Sequence, residues 1–146
     1  MALDRAQIDA VSRLIQLTSR DRRLLLWTAL LIIGTRLALS VLPFRVVLKA
    51  LRALSRSTLS VRVLAATSIE RALWAVEVCT NRLGLARTCL IRAMVAHTLL
   101  LSTRNAATLR IGVAKDRGGK LQAHAWVESN GRVVIGRASE VFVPLR

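Results

Sequence analysis

The rhythm of apolar and polar positions changes near residue 105, dividing the chain into a helical part and a strand part. Between residues 4 and 18, Ile8, Val11, Leu14, Ile15 and Leu17 recur near helical spacing, with Asp4 placed to cap them. Leu24 to Phe44 is the most apolar stretch, interrupted by Arg36 and closed by Pro43. The spacing predicts further helices over 68–82, capped by Ser68, and over 89–101, preceded by Thr88. Beyond Asn105 the period falls to two: Leu109, Ile111 and Val113 alternate, as do parts of 121–127 and 132–135. Asp116-Arg117-Gly118-Gly119 and Asn130-Gly131 read as the turns between these strands. Helices followed by an antiparallel sheet predict an α+β domain with the 89–101 helix packed on the sheet.

A chain of 146 residues holds one domain with a real core and is short for two. The Ser-rich stretch from Ser55 to Ser60 is the best internal break, so a single domain, 1–146, is expected with a helical region over 1–60 and a core over 61–146. Apolar residues make up 53% of the chain but aromatics only 3%, and Tyr is absent, which leaves Leu, Val, Ala and Ile to build the interior.

Charge adds a second constraint. The net charge of +15 comes from 23 basic against 8 acidic residues, and only Lys49, Lys115 and Lys120 are lysines. Such an excess favours anionic partners. No zinc-finger spacing or RNA-binding signature is present and few rings are available to stack bases, so nucleic acid is not expected. Leu24 to Phe44 is long enough to cross a bilayer, yet Arg36 is costly at that depth and basic residues flank both ends. A buried helix is therefore expected there. Arg45, Lys49, Arg52, Arg56 and Arg62 make the next segment a basic helix-and-turn region, either a solvated face or a contact for membrane or partner. No secretory signal pattern precedes these segments, and two cysteines make no disulfide framework, so a cytoplasmic location with peripheral membrane contact as an option is the expectation.

The two cysteines differ in setting. Cys79 lies inside a predicted helix and reads as structural, whereas Cys89 opens one. Helix N-termini carry partial positive charge and unpaired N–H groups, so a thiol there ionises more readily, and Arg87 and Arg92 push the same way. His124, in a strand-like His-Ala-Trp-Val-Glu run, can draw its proton. His97 cannot serve, because eight residues along a helix rise about 12 Å. The backbone N–H of Cys89 is the natural first donor to an oxyanion. Cys79, Cys89, His97 and His124 do not have the spacing of a zinc site, and neither metal nor cofactor is expected.

Three blocks make this assignment more specific: Arg-Thr-Cys-Leu-Ile-Arg-Ala-Met at 87–94, Leu-Arg-Ile-Gly-Val at 109–113 and Ala-His-Ala-Trp-Val-Glu at 123–128. In that order and spacing the chain resembles the leader peptidases of lasso-peptide biosynthesis, which are transglutaminase-like cysteine proteases. The likeness runs over about 68–146 and touches the helical region only through Leu-Pro-Phe-Arg at 42–45. It implies a papain-like core in which Cys89 attacks a peptide carbonyl and His124 moves the proton, releasing the leader of a ribosomally made precursor peptide. It also implies a split system, in which a separate PqqD-like leader-recognition protein presents the leader and an ATP-dependent cyclase closes the product. A transglutaminase-like acyltransferase and a non-catalytic basic membrane-associated adaptor are the alternatives.

The residue that orients His124 is the open element. Similar leader peptidases carry an aspartate about a dozen residues after the histidine, where this chain has Gly136 followed by Arg137. A three-residue loop at Ser129-Asn130-Gly131 would set Gly136 opposite His124, and a two-residue Asn130-Gly131 turn would set Arg137 there. Glu140 is the preferred acid, with a backbone carbonyl or a water as substitutes. Glu128 shares the His124 face but stands about 13 Å along the strand. Trp126 shares that face too, as a shield for the site or as a core residue.

Overall fold

A computed structural model describes residues 18–64, 66–84, 88–115, 118–136 and 143–144. Residues 4–17 of the helix expected over 4–18, and Asp116 and Arg117 of the Asp116–Gly119 turn, lie outside them. Among the described residues, five helices come first, α1 (Ser19–Val41), α2 (Phe44–Ser55), α3 (Thr58–Val63), α4 (Ile69–Arg82) and α5 (Cys89–Ser102). Four strands follow, β1 (Thr108–Lys115), β2 (Leu121–Ser129), β3 (Arg132–Ile135) and β4 (Val143–Pro144), in the antiparallel order β3-β2-β1-β4. The α+β expectation therefore holds, and α5 packs on β1 and β2. The short β4 strand, paired to β1 at Gly112 and Val113, was not among the expected strands.

Local chemistry explains the element ends. Thr18 caps α1 by accepting the Asp21 N–H at 3.3 Å. The helix stops at Val41 because Pro43 forces Leu42 into extended backbone, φ −113° and ψ 148°. Ser57 caps α3 and Ser68 caps α4, each accepting a backbone N–H from three residues ahead. Between β2 and β3, Asn130 and Gly131 have φ of 51° and 73°, the backbone of a two-residue hairpin turn of type I′.

Beyond that turn the register departs from both sequence-based alternatives. Ser129 faces Arg132 and Glu128 faces Val133, but Val127 faces Ile135, so Val134 is the extra residue of a β-bulge. The strand ends at Ile135 and Gly136 is not a ladder partner of His124, while Arg137 lies outside the described residues.

One apolar cluster spans both parts of the chain. Leu24, Leu31 and Ile32 of α1, Val47 and Leu51 of α2, Ala72, Ala75 and Val76 of α4, and Met94, Val95, Leu99 and Leu100 of α5 meet Ala125, Val127 and Ile135 of the sheet. α5 is the hub, touching α1, α2, α4 and the sheet. A polar fastener joins α1 to α4: Arg71 donates Nε to Asp21 Oδ1 at 2.9 Å and Nη2 to Oδ2 at 2.6 Å. The Arg71 bonds first, and that of Thr18 next, hold the Asp21 carboxyl below its usual range against the opposing effect of burial.

α1 corrects the expectation of a buried helix. It buries Leu24, Thr28, Leu31, Ile32 and Thr35 but exposes Leu26, Leu30, Ile33, Leu37 and Val41. Its principal packing partners, α4 and α5, cover one side and leave the other bare.

Candidate active site

Cys89 is the first residue of α5, half-buried against the edge of the apolar core. Thr88 ahead of it has non-helical backbone and makes no side-chain cap bond, and the first turn of α5 contains no acid. The amides that open α5 and the positive end of its dipole thus lie at the helix end that carries the thiol, with no acid of its own first turn among them. His124 stands in the middle of β2, half-buried and paired with Gly112 of β1. α5 lies on β2, so the helix that starts at Cys89 packs against the strand that carries His124.

The imidazole is fastened by the main chain. His124 Nε2 lies 2.6 Å from the Gly136 carbonyl oxygen. A carbonyl oxygen only accepts, so Nε2 carries the proton and donates it, and Nδ1 is the basic nitrogen of the neutral ring. This contact explains why residue 136 is glycine. Its φ is +80°, and a Cβ there would stand 2.7 Å from the Ala125 carbonyl oxygen and 3.0 Å from Trp126 Cα. Only a residue without a side chain lets the chain lie this close to β2 and aim its carbonyl at the ring. Of the alternatives open at the sequence level, a backbone carbonyl engages the imidazole. Glu140 lies outside the described residues.

Residues of β2 sort by alternation. Ala125 and Val127 enter the apolar cluster, while Trp126 lies outside it although only 8% exposed. Trp126 shares its face with His124, and the two rings stack with centroids 6.3 Å apart and planes 18° apart. Its indole Nε1 donates to Glu128 Oε1 at 2.9 Å, and Arg110 Nε on β1 donates to Glu128 Oε2 at 3.4 Å. Glu128 therefore serves the tryptophan. The fastening of Trp126 by Glu128 was missed at the sequence level, although the 126 and 128 spacing on one strand face is a readable signal.

The other singled-out residues separate cleanly. Arg92, expected to act on the thiol, donates to Glu77 of α4 at 3.2 Å, so its charge is shared with a carboxylate. Arg87 lies outside the described residues. Cys79 is buried, its thiol 3.5 Å from the Leu25 carbonyl oxygen, and burial pushes the thiol up. His97 is buried in α5. Burial first, and the Arg52 charge second, push its imidazole below its usual value, against a bond with the Ala107 backbone.

Comparison with known proteins agrees with this architecture. Residues 29–146 match the transglutaminase-like superfamily, and the chain belongs to it. No curated protein and no solved structure matches the chain. The match covers both the sheet and most of the helical region, and its chemistry is that of a cysteine peptidase or an acyltransferase.

Proposed function

We propose that this chain is a cysteine peptidase that removes the leader from a ribosomally made lasso-type precursor peptide. The observation that carries the reading is the fastening of His124 Nε2 by the Gly136 carbonyl, in a chain whose Cys89 heads a helix packed on the same strand. That tautomer makes Nδ1 the proton acceptor for a thiol. Cys89 Sγ then attacks the scissile carbonyl carbon, His124 takes the thiol proton and passes it to the departing amine, and the C–N bond breaks. Water, deprotonated by the same imidazole, hydrolyses the thioester and returns the free thiol. The Cys89 N–H supports the oxyanion in both steps.

The Gly136 carbonyl accepts the Nε2–H hydrogen bond and so fixes the plane of the ring for that proton transfer. In this reading a PqqD-like protein delivers the leader and an ATP-dependent cyclase takes the core. Mass spectrometry of precursor, recognition protein and this chain tests the proposal. Two fragments summing to precursor plus one water, formed by wild type and not by Cys89→Ala, are expected. A product in which an amine has replaced the water would assign acyl transfer instead, and uncut precursor with a demonstrably bound recognition protein would sink both.

A further inference from the structure

The exposed side of α1 has a pattern that the peptidase reading leaves unused. Leu26, Leu30, Ile33, Leu37 and Val41 are 64, 56, 44, 62 and 82% exposed, and the 3.6-residue repeat aligns them in one stripe about 22 Å long. The stripe runs into an apolar groove of about 300 Å³ between α1 and α2, floored by Leu31, Ala38, Val47 and Leu51. Past the groove, Val46 on α2 is 47% exposed.

Cations border this surface on both sides. Arg22 and Arg36 follow the stripe along the outer flank of α1. Arg45, Lys49, Arg52 and Arg56, spaced four, three and four apart, form one exposed ridge along α2. Across 18–64 the chain has nine basic residues and a single acid, Asp21, which is buried against Arg71.

We infer that the α1–α2 face docks on an anionic lipid bilayer, with α1 lying in the plane of the interface. A stripe of aliphatic side chains between two cationic margins matches acyl chains beneath phosphate headgroups, and the arginine and lysine stems reach outward to the headgroups. A protein surface is the poorer match. Protein hot spots favour Trp, Tyr and Arg at the centre, whereas the exposed stripe is Leu, Ile and Val, and the one indole, Trp27, lines the groove, a place that also suits the headgroup level of a bilayer. α1 is also held against spanning. Its opposite side, with Leu24, Thr28, Leu31, Ile32 and Thr35, is buried in the domain, and Asp21 is tied to Arg71. Crossing the bilayer would require those groups to leave the core. Docking is independent of the peptidase chemistry and is read without substrate.

The test is flotation of the full chain with phosphatidylcholine vesicles, with and without phosphatidylglycerol. Wild type floats with the anionic vesicles and at least about tenfold less with neutral ones, since each basic residue at the surface contributes about fivefold. The triple variant Arg45→Gln, Lys49→Gln, Arg56→Gln loses about a hundredfold in vesicle affinity on the same arithmetic. The double variant Leu30→Gln, Leu37→Gln loses at least about tenfold, with circular dichroism confirming that both variants stay folded. Folded wild type left in the aqueous phase with anionic vesicles would overturn the inference, as would triple-variant binding equal to wild type. Retention after alkaline carbonate washing would replace in-plane docking with a span. Amide protection of α1 by added recognition protein, in a chain that does not float, would assign the face to a protein and equally overturn it.

Discussion

α4 and α5 are consecutive helices of 14 residues each, and they use their N-termini in opposite ways. At α4, Ser68 accepts the Arg71 N–H, and Glu70 sits in the first turn. The carboxyl of Glu70 is held below its usual range by its own backbone N–H and then by the Ser68 hydroxyl. At α5 neither a side-chain cap bond nor an acid occupies the first turn, and a cysteine takes the first position. The cysteine of α4, by contrast, is deep in the helix, where burial disfavours its thiolate. An identical side chain thus opens one helix, half-buried, and is buried within the other. Helix position and burial, not residue type, separate a reactive thiol from a packing one.

The largest expected break of this contrast is in activity. Cys89→Ala removes precursor cleavage by at least ~10³-fold, because the nucleophile is lost outright. Cys79→Ala leaves the cleavage rate unchanged and costs about 1 kcal/mol of stability through the small cavity left behind, read by urea denaturation. A cleavage defect in the Cys79 variant equal to that of Cys89→Ala would dissolve the distinction.

Next in size is a substitution that restores the acid of similar leader peptidases. Gly136→Asp lowers kcat about 10²-fold instead of raising it. The new Cβ would meet the Ala125 carbonyl oxygen at 2.7 Å, at a φ of +80° that side chains adopt only with strain. The carbonyl aimed at His124 would shift, and small misplacements of catalytic groups are costly. A variant faster than wild type would show that the site tolerates a carboxylate there.

Alkylation compares the two thiols directly. At neutral pH, iodoacetamide labels Cys89 at least about tenfold faster than Cys79, whose buried thiol holds its proton more tightly. Peptide mapping after brief labelling reads both in one sample, and equal rates would remove the basis of the comparison.

Smaller effects come from the supports on either side of the site. Glu128→Gln exchanges a carboxylate for a neutral acceptor under Trp126 and Arg110, weakening the fastening by about 1 kcal/mol. Cleavage falls severalfold while the melting temperature moves little, and an unchanged rate would show that the Trp126 stack does not position His124. At the far end of α5, His97 gives a pH signature. Its folded-state value is depressed, so the unfolded chain binds the proton more readily. Stability is therefore full above the ordinary histidine value of about 6.5 and declines as pH falls below it, with a ceiling of about 1.4 kcal/mol per pH unit. His97→Gln flattens that slope in denaturation curves at pH 7.5 and 5.5, and an unaltered slope would place its origin elsewhere.

Periodicity made most of the fold legible. Helices at Ile69–Arg82 and Cys89–Ser102, the period-two strands and the Asn130-Gly131 turn follow from local rules: apolar spacing, Ser68 as a cap, and a dipeptide that accepts positive φ. The places of Cys89 at a helix start and of His124 on a strand were readable for the same reason, since each is a distinct place on a local element. Local rules stop where two segments meet. The bulge at Val134 changed the register after a correctly read turn, and a one-residue shift cannot be seen in a four-residue strand. Whether α1 is enclosed depends on how many neighbours pack around it, and α4 and α5 cover one side only. The described partner of His124 Nε2 is a main-chain carbonyl, a group every residue carries, so the sequence did not single it out. Tertiary structure alone decided that Gly136 brings this oxygen to the ring, because the lack of a Cβ becomes meaningful only once β2 lies against it.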